Sequence, residues 1–223
     1  MLTLNEAIEQ RHSVRRYTDE PIEGEVLETL ENLIREINEE TGLHIQLIMN
    51  EPKAFDSMLA RYGRFSGVRN YVALIGPKEK ELAEKCGYYG EKIVLCAQQL
   101  GLNTCWVAGT FKKIPEAFVL EKNEKLVMVI AIGYGINSGS PHHGKALGDL
   151  YRAITPEPKW FMDGVYAASL APTAMNQQKF LFEYDDGRVS AKAGIGPHAK
   201  TDLGIVKYHF EIGAGKDHSI WEE

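Results

Sequence analysis

Residues Leu126–Ile132 read LVMVIAI, seven apolar residues rich in valine and isoleucine and ended by Gly133. A β-branched run with no polar position is a strand covered on both faces, so it belongs to the buried interior of a sheet. Tyr71–Ile75 is a second continuous apolar run, closed by Gly76-Pro77, and reads as a central strand. His44–Met49 instead alternates around Ile45 and Leu47, as a half-covered strand does. Strands buried on both faces need helices to cover them, and the chain supplies several.

Thr3-Leu4-Asn5-Glu6 has the spacing of a capping box, in which hydroxyl and carboxylate satisfy free helix N–H groups, and predicts a helix over Leu4–Gln10. After Pro21-Ile22, the residues Val26, Leu27, Leu30, Leu33, Ile34 and Ile37 recur at helical spacing until Gly42. A longer helical pattern covers Glu79–Leu100 and stops at Gly101. Its interior Gly87 and Gly90 each cost about 1 kcal/mol relative to alanine, which implies close approach by a chain segment or ligand. A further helix is expected from about Pro158 to before Pro172. Phe180, Phe182 and Tyr184 alternate with polar or less bulky neighbours, and Asp186-Gly187 turns the chain into Arg188–Ala193, a hairpin pattern. The expected class is α+β, a layered α-β-α fold whose central mixed, largely antiparallel sheet is flanked by helices. With no repeat and no linker-like stretch, residues 1–223 read as a single domain.

A net charge of −6 favours neither nucleic acid nor an anionic membrane as a partner, so any anion site must be local. Cys86, Cys96 and Cys105 lack metal-site or disulfide spacing and read as reduced core thiols. Without an apolar leader or a membrane-length run, the expectation is a cytoplasmic protein.

Three segments carry chemistry. In Arg11-His12-Ser13-Val14-Arg15-Arg16-Tyr17, the alternate members Arg11, Ser13 and Arg15 would share one side of an extended backbone, giving two guanidinium forks and a hydroxyl for a phosphate. A solvated basic turn pairing with Asp19 and Glu20 is the competing reading. His12 reads as a supporting or surface residue, and His142-His143 as solvated. In GLNTCWVAGT, residues 101–110, Gly109 would let backbone N–H groups approach a planar ligand, although a plain helix-to-strand connection reads equally. In SLAPTAMNQQKF, residues 169–180, Asn176, Gln177 and Gln178 each offer a donor and an acceptor, suited to a heterocycle edged with carbonyls and N–H groups. Satisfying stray backbone groups at a helix end is the alternative role for these amides.

Together, R-x-S-x-R, GLNTCWVAG, the following IAIGYG and APTAMNQQ resemble the nitroreductase-like flavin enzymes over most of the chain, with residues 43–65 and the C-terminal tail the weakest parts. The order resembles a permuted subgroup, because APTAMNQQ follows IAIGYG instead of preceding the central helix, and Lys179-Phe180 stands where many members have Pro-Trp. The resemblance implies an FMN cofactor bound through Arg11, Ser13 and Arg15, the Ala108, Gly109 and Thr110 backbone beside the reactive N5, and Thr173, Met175, Asn176 and Gln178 at the ring. Lys145 falls where the family often adds a phosphate-binding cation. It further implies no catalytic side chain and no metal, NADH or NADPH as donor, a small electron-poor acceptor such as a nitroaromatic or quinone, and a homodimer. A non-catalytic FMN-binding or flavin-delivering protein is the alternative; a dinucleotide site at Gly133-Tyr134-Gly135 misses the fingerprint spacing.

Overall fold

The computed structural model describes residues 1–141 and 143–221, so the expectation for His142 lies outside the described residues. In chain order the elements are α1 (Leu4–Gln10), α2 (Gly24–Thr41), β1 (Gln46–Ile48), α3 (Met58–Tyr62), β2 (Asn70–Pro77), α4 (Leu82–Gln99), β3 (Asn103–Val107), β4 (Glu124–Gly133), β5 (Tyr151–Ala153), α5 (Lys159–Ser169), β6 (Phe180–Asp185), β7 (Arg188–Ala193) and α6 (Ala199–Ala214). The class is α+β. The strands form two sheets, ordered β1-β2-β4-β3 and β5-β6-β7. Pairing in the larger sheet is antiparallel throughout, and the mixed pairing sits in the smaller one, where β5 runs parallel to β6. The chain divides into two compact units, one holding Arg11–Leu82 and Ile93–Ser140, the other Leu2–Gln10, Ala83–Lys92 and the chain from Pro141 on.

In the first unit, the two apolar runs pair with each other, Val72 opposite Ile130 and Ala73 opposite Val129. Alternation then sends Tyr71, Ala73, Ile75, Cys105, Val107, Val129 and Ala131 into one buried cluster with Phe55, Phe65 and Phe111. The Phe55 and Phe65 rings meet edge to face at 5.2 Å. Helix α2 buries Leu30, Ile34 and Ile37, the stripe its spacing predicts. It ends where glycine is needed: Gly42 is left-handed at φ 70°, and its N–H donates to Asn38 O.

In the second unit, the capping box of α1 forms as expected, with Thr3 N–H donating to Glu6 Oε2 at 2.7 Å and Glu6 N–H to Thr3 Oγ1 at 3.2 Å. The β6–β7 hairpin turns at Asp186 (φ 44°) and Gly187 (φ 85°), the left-handed pair that matches strand twist. Helices α5 and α6 pack around the Phe161 and Phe210 rings, 5.6 Å apart, and Phe210 also meets Phe182 of β6 at 4.8 Å. The close approach foreseen at Gly87 is made by α6: a Cβ there would lie 2.0 Å from Thr201 O, and one at Gly204 would lie 2.0 Å from Glu84 O. Helix α6 itself escaped the periodicity reading because it is buried nearly all round, from Ala199 to Ala214, and contains Gly204 and Gly213. Strand β5 and the five-residue α3 were missed for want of length, while β3 is the strand of the helix-to-strand connection read in residues 101–110.

Candidate functional site

Arg11–Tyr17 is extended, as the alternation argument required, but it owes that conformation to backbone bonds. Ser13 bridges in parallel to Thr104 of β3, and Tyr17 bridges antiparallel to Gly135. Val14 N–H donates to Thr104 O, Ser66 N–H to Arg15 O, Tyr17 N–H to Ser66 O and Ile136 N–H to Arg16 O, all at 3.0 Å. Tyr17 closes the segment: its buried hydroxyl donates to Val14 O at 2.7 Å, and its ring lies against the Cα of Gly133, where a Cβ would sit 3.1 Å away. Burial pushes the Tyr17 hydroxyl well above the usual phenol range.

Arg11, Ser13 and Arg15 all act on the Cys105 thiol, Ser13 by a hydrogen bond and the two arginines by their charge. Burial raises the Cys105 thiol, while Arg15, the Ser13 hydrogen bond and Arg11 all pull it back down. Their exposures differ: Arg11 is 4% exposed, Ser13 is half-buried, and Arg15 is open to solvent. His12, beside them, is half-buried, with its Cβ facing Gly139, whose φ of 75° permits that approach. The turn after β3 is bare: Ala108 and Gly109 are exposed, and a Cβ on Gly109 would meet nothing within 4 Å. Packing within the chain therefore does not require glycine there. Thr110, half-buried, touches the end of α3, since a Cβ on Gly63 would lie 2.8 Å from its Oγ1.

In the second unit, Lys145, Thr173, Asn176 and Gln178 are brought together, but largely by one another. Gln178 is 1% exposed. Its Nε2 donates to Ser169 O at 2.8 Å, its Oε1 accepts from Lys145 N–H at 2.5 Å, its carbonyl accepts from Lys145 Nζ at 2.8 Å, and its N–H donates to Thr173 Oγ1 at 3.1 Å. Asn176 Nδ2 donates to the carbonyl of exposed His143 at 2.9 Å. The role weighed as the alternative for these amides, satisfying backbone groups, is thus filled by Gln178 and in part by Asn176. Three non-glycine residues here are left-handed, Met175 (φ 52°), Asn176 (φ 53°) and Gln178 (φ 46°). Such residues cost of order 1 kcal/mol or more each and persist only where surroundings impose them. Met175, strained and 78% exposed, is presented to solvent beside exposed Asn176.

A residue that the motif reading missed anchors this turn from α6. Asp202, 3% exposed, accepts Ala174 N–H on both oxygens, at 3.0 and 3.1 Å. Burial raises its carboxyl to about 6, against the lowering by Ala174 N–H. A lone acid among Ala199, Leu203 and Val206 was the available signal, and it is legible only once α6 is recognised.

The family model described as "Putative TM nitroreductase" matches residues 3–214. The chain belongs to this nitroreductase family. Among solved structures, a "putative nitroreductase" from Thermotoga maritima is 22% identical, with a TM-score of 0.68, covering 95% of this chain and 83% of that one. Two more, from Desulfovibrio desulfuricans and Exiguobacterium sibiricum, are nitroreductase-family crystal structures in complex with FMN. They are 19% and 18% identical, both with a TM-score of 0.53, covering 71% and 67% of this chain and 99% and 96% of theirs. These likenesses show that the fold is shared. No curated protein matches the chain. No helix among the described residues is long and apolar enough to cross a membrane.

Proposed function

We propose that this nitroreductase-family protein is an FMN-dependent oxidoreductase that takes electrons from NADH or NADPH and delivers them to a small electron-poor acceptor, such as a nitroaromatic or quinone. It acts as a cytoplasmic homodimer. The observation that carries the reading is that Arg11, Ser13 and Arg15 all act on the buried Cys105 thiol, two of them as positive charges, in a chain whose net charge is −6.

The residues fit the cofactor by their chemistry. Two guanidinium groups and a hydroxyl match a phosphate that accepts on three oxygens and carries up to two charges. The exposed 108–110 backbone, with no Cβ at Gly109, leaves N–H groups free of cover for a flat ring. Thr173, Met175 and Asn176 supply the ring-edge contacts, while Gln178 and Lys145 contribute by holding the turn in shape; two Lys145 ammonium protons remain for a phosphate. FMN, when bound, supplies the redox chemistry, a ring that takes up hydride and passes electrons on. The chain orients that ring, and its guanidinium groups place positive charge beside it. No side-chain acid or base is assigned.

The visible spectrum of the purified protein, or of protein titrated with FMN, tests the cofactor: perturbed flavin bands are expected. Stopped-flow mixing with NADH and then NADPH should bleach those bands, and failure with both donors would leave a flavin-binding protein without reductase activity. Sedimentation of the flavin-loaded protein should give a dimer.

A further inference from the structure

We propose that Asp202 is the positioning residue of the amide turn: without touching the cofactor, its carboxylate fixes Ala174 N–H and so the left-handed backbone that presents Met175 and Asn176 to FMN. This rests on the function proposed above for the partner of that turn; the anchoring itself does not. The turn needs such an anchor. Asn176 N–H returns to Thr173 O at 2.9 Å, Gln177 N–H and Nε2 both return to Ala174 O at 3.1 and 2.8 Å, and Gln178 N–H returns to Thr173 Oγ1. These bonds are internal, so they shape the turn without tying its first residues to the rest of the fold. Ala174 N–H on Asp202 is the tie to α6, and α6 is held at this level by the Gly87 and Thr201 contact one residue earlier.

The choice of an acid is informative. Buried among apolar neighbours, Asp202 favours its neutral form, so the stability it confers is full below the ordinary carboxyl range and is lost as pH rises through about 6. Above that pH the ionised form costs global stability and gives Ala174 N–H a charge-assisted acceptor. The turn itself carries no titratable side chain. The surrounding groups are Glu84 and Tyr88 of α4, the former paired with Lys207 and the latter donating to Glu211, exposed His143 and Lys145 on the facing loop, and exposed His198 and Lys200 at the start of α6. The two causes acting on Asp202 are burial and the Ala174 N–H.

A purely structural residue would lower stability and binding together when replaced, whereas this one should separate them. In full-length protein freed of flavin, Asp202→Asn should weaken FMN about five- to tenfold at pH 8 by fluorescence titration, the scale of exchanging a charged acceptor for a neutral one. Its melting temperature at pH 8 should rise by roughly a few degrees. At pH 5.5 the affinity gap should narrow, because the native side chain is then mostly neutral too. The FMN phosphate titrates in a similar window, with a second pKa of about 6, but does so equally in both proteins and cancels in the comparison. Equal affinities at pH 8, or a gap that is undiminished at pH 5.5, would overturn the proposal. A variant-free measurement stands beside it: the Ala174 amide proton shift in the native protein should follow a single titration near pH 6. If the native protein takes up no FMN, the proposed function falls, and the amide titration decides the positioning role alone; a flat Ala174 shift would overturn it.

Discussion

Residues 11–17 and residues 173–178 are both read as cofactor-binding, yet they are held in place in opposite ways. The first segment is fixed mainly by backbone hydrogen bonds to Thr104, Ser66 and Ile136, to which the Tyr17 hydroxyl adds bonds to Val14 O and Ala131 O. The second is fixed by side chains: Thr173, Gln178, Lys145 and Asp202 supply the bonds that hold a strained backbone. A backbone-held segment can lose a side chain and keep its shape. A side-chain-held turn cannot, so there the neutral holders Thr173 and Gln178 couple stability to binding, and the titrating Asp202 separates the two.

Substitutions can break that contrast. Gln178→Ala removes a fully buried amide and its bonds to Ser169 O and Lys145 N–H, so a loss of about 3 kcal/mol in stability by denaturant unfolding is expected, together with weaker FMN binding. Arg15→Ala should do the reverse, costing about 2 kcal/mol in FMN affinity by titration while the unfolding midpoint stays put, since the side chain is exposed and its backbone bonds persist. An equal fall in stability would show the first segment to be side-chain-held after all. Thr173→Val deletes the acceptor of Gln178 N–H and should cost about 1 kcal/mol in stability, with a parallel loss of FMN affinity. Met175→Gly relieves a left-handed residue and should be neutral to stabilising by less than about 1 kcal/mol in calorimetry, while a looser turn weakens FMN slightly.

The same contrast explains what could be read in advance. Apolar runs, the Thr3–Glu6 box, Gly42 and the Asp186-Gly187 turn are local signals, and each gave its element close to where it lies. Strand β4 extends the expected 126–132 run to Glu124–Gly133, and α4 begins at Leu82 where Glu79 was expected. Alternation in R-x-S-x-R anticipated an extended segment, but not that Arg11, Ser13 and Arg15 would each act on a thiol of β3, because that depends on strand pairing. The amide run was legible as unusual, yet the division of labour within it was not. Gln178 and Asn176 are chemically alike, and only the positions of Ser169 and Lys145 make one a clamp and leave the other exposed. Asp202 was hidden twice, by a helix without a polar face and by a partner 28 residues away.

Gly87 and Gly204 give the second unit a mechanical property as well as a packing one. Each lies against the backbone of the opposite helix, with no side chain between to act as a cushion. A slide or roll of α6 by even a fraction of a turn would drive a peptide group into its neighbour, so the pair behaves as a key in a slot. Asp202 is mounted two residues from that key, which makes it a fixed reference point. Any adjustment of the amide turn to an incoming molecule has to be absorbed by residues 173–178 and the loop at 143–145, leaving the helix where it is.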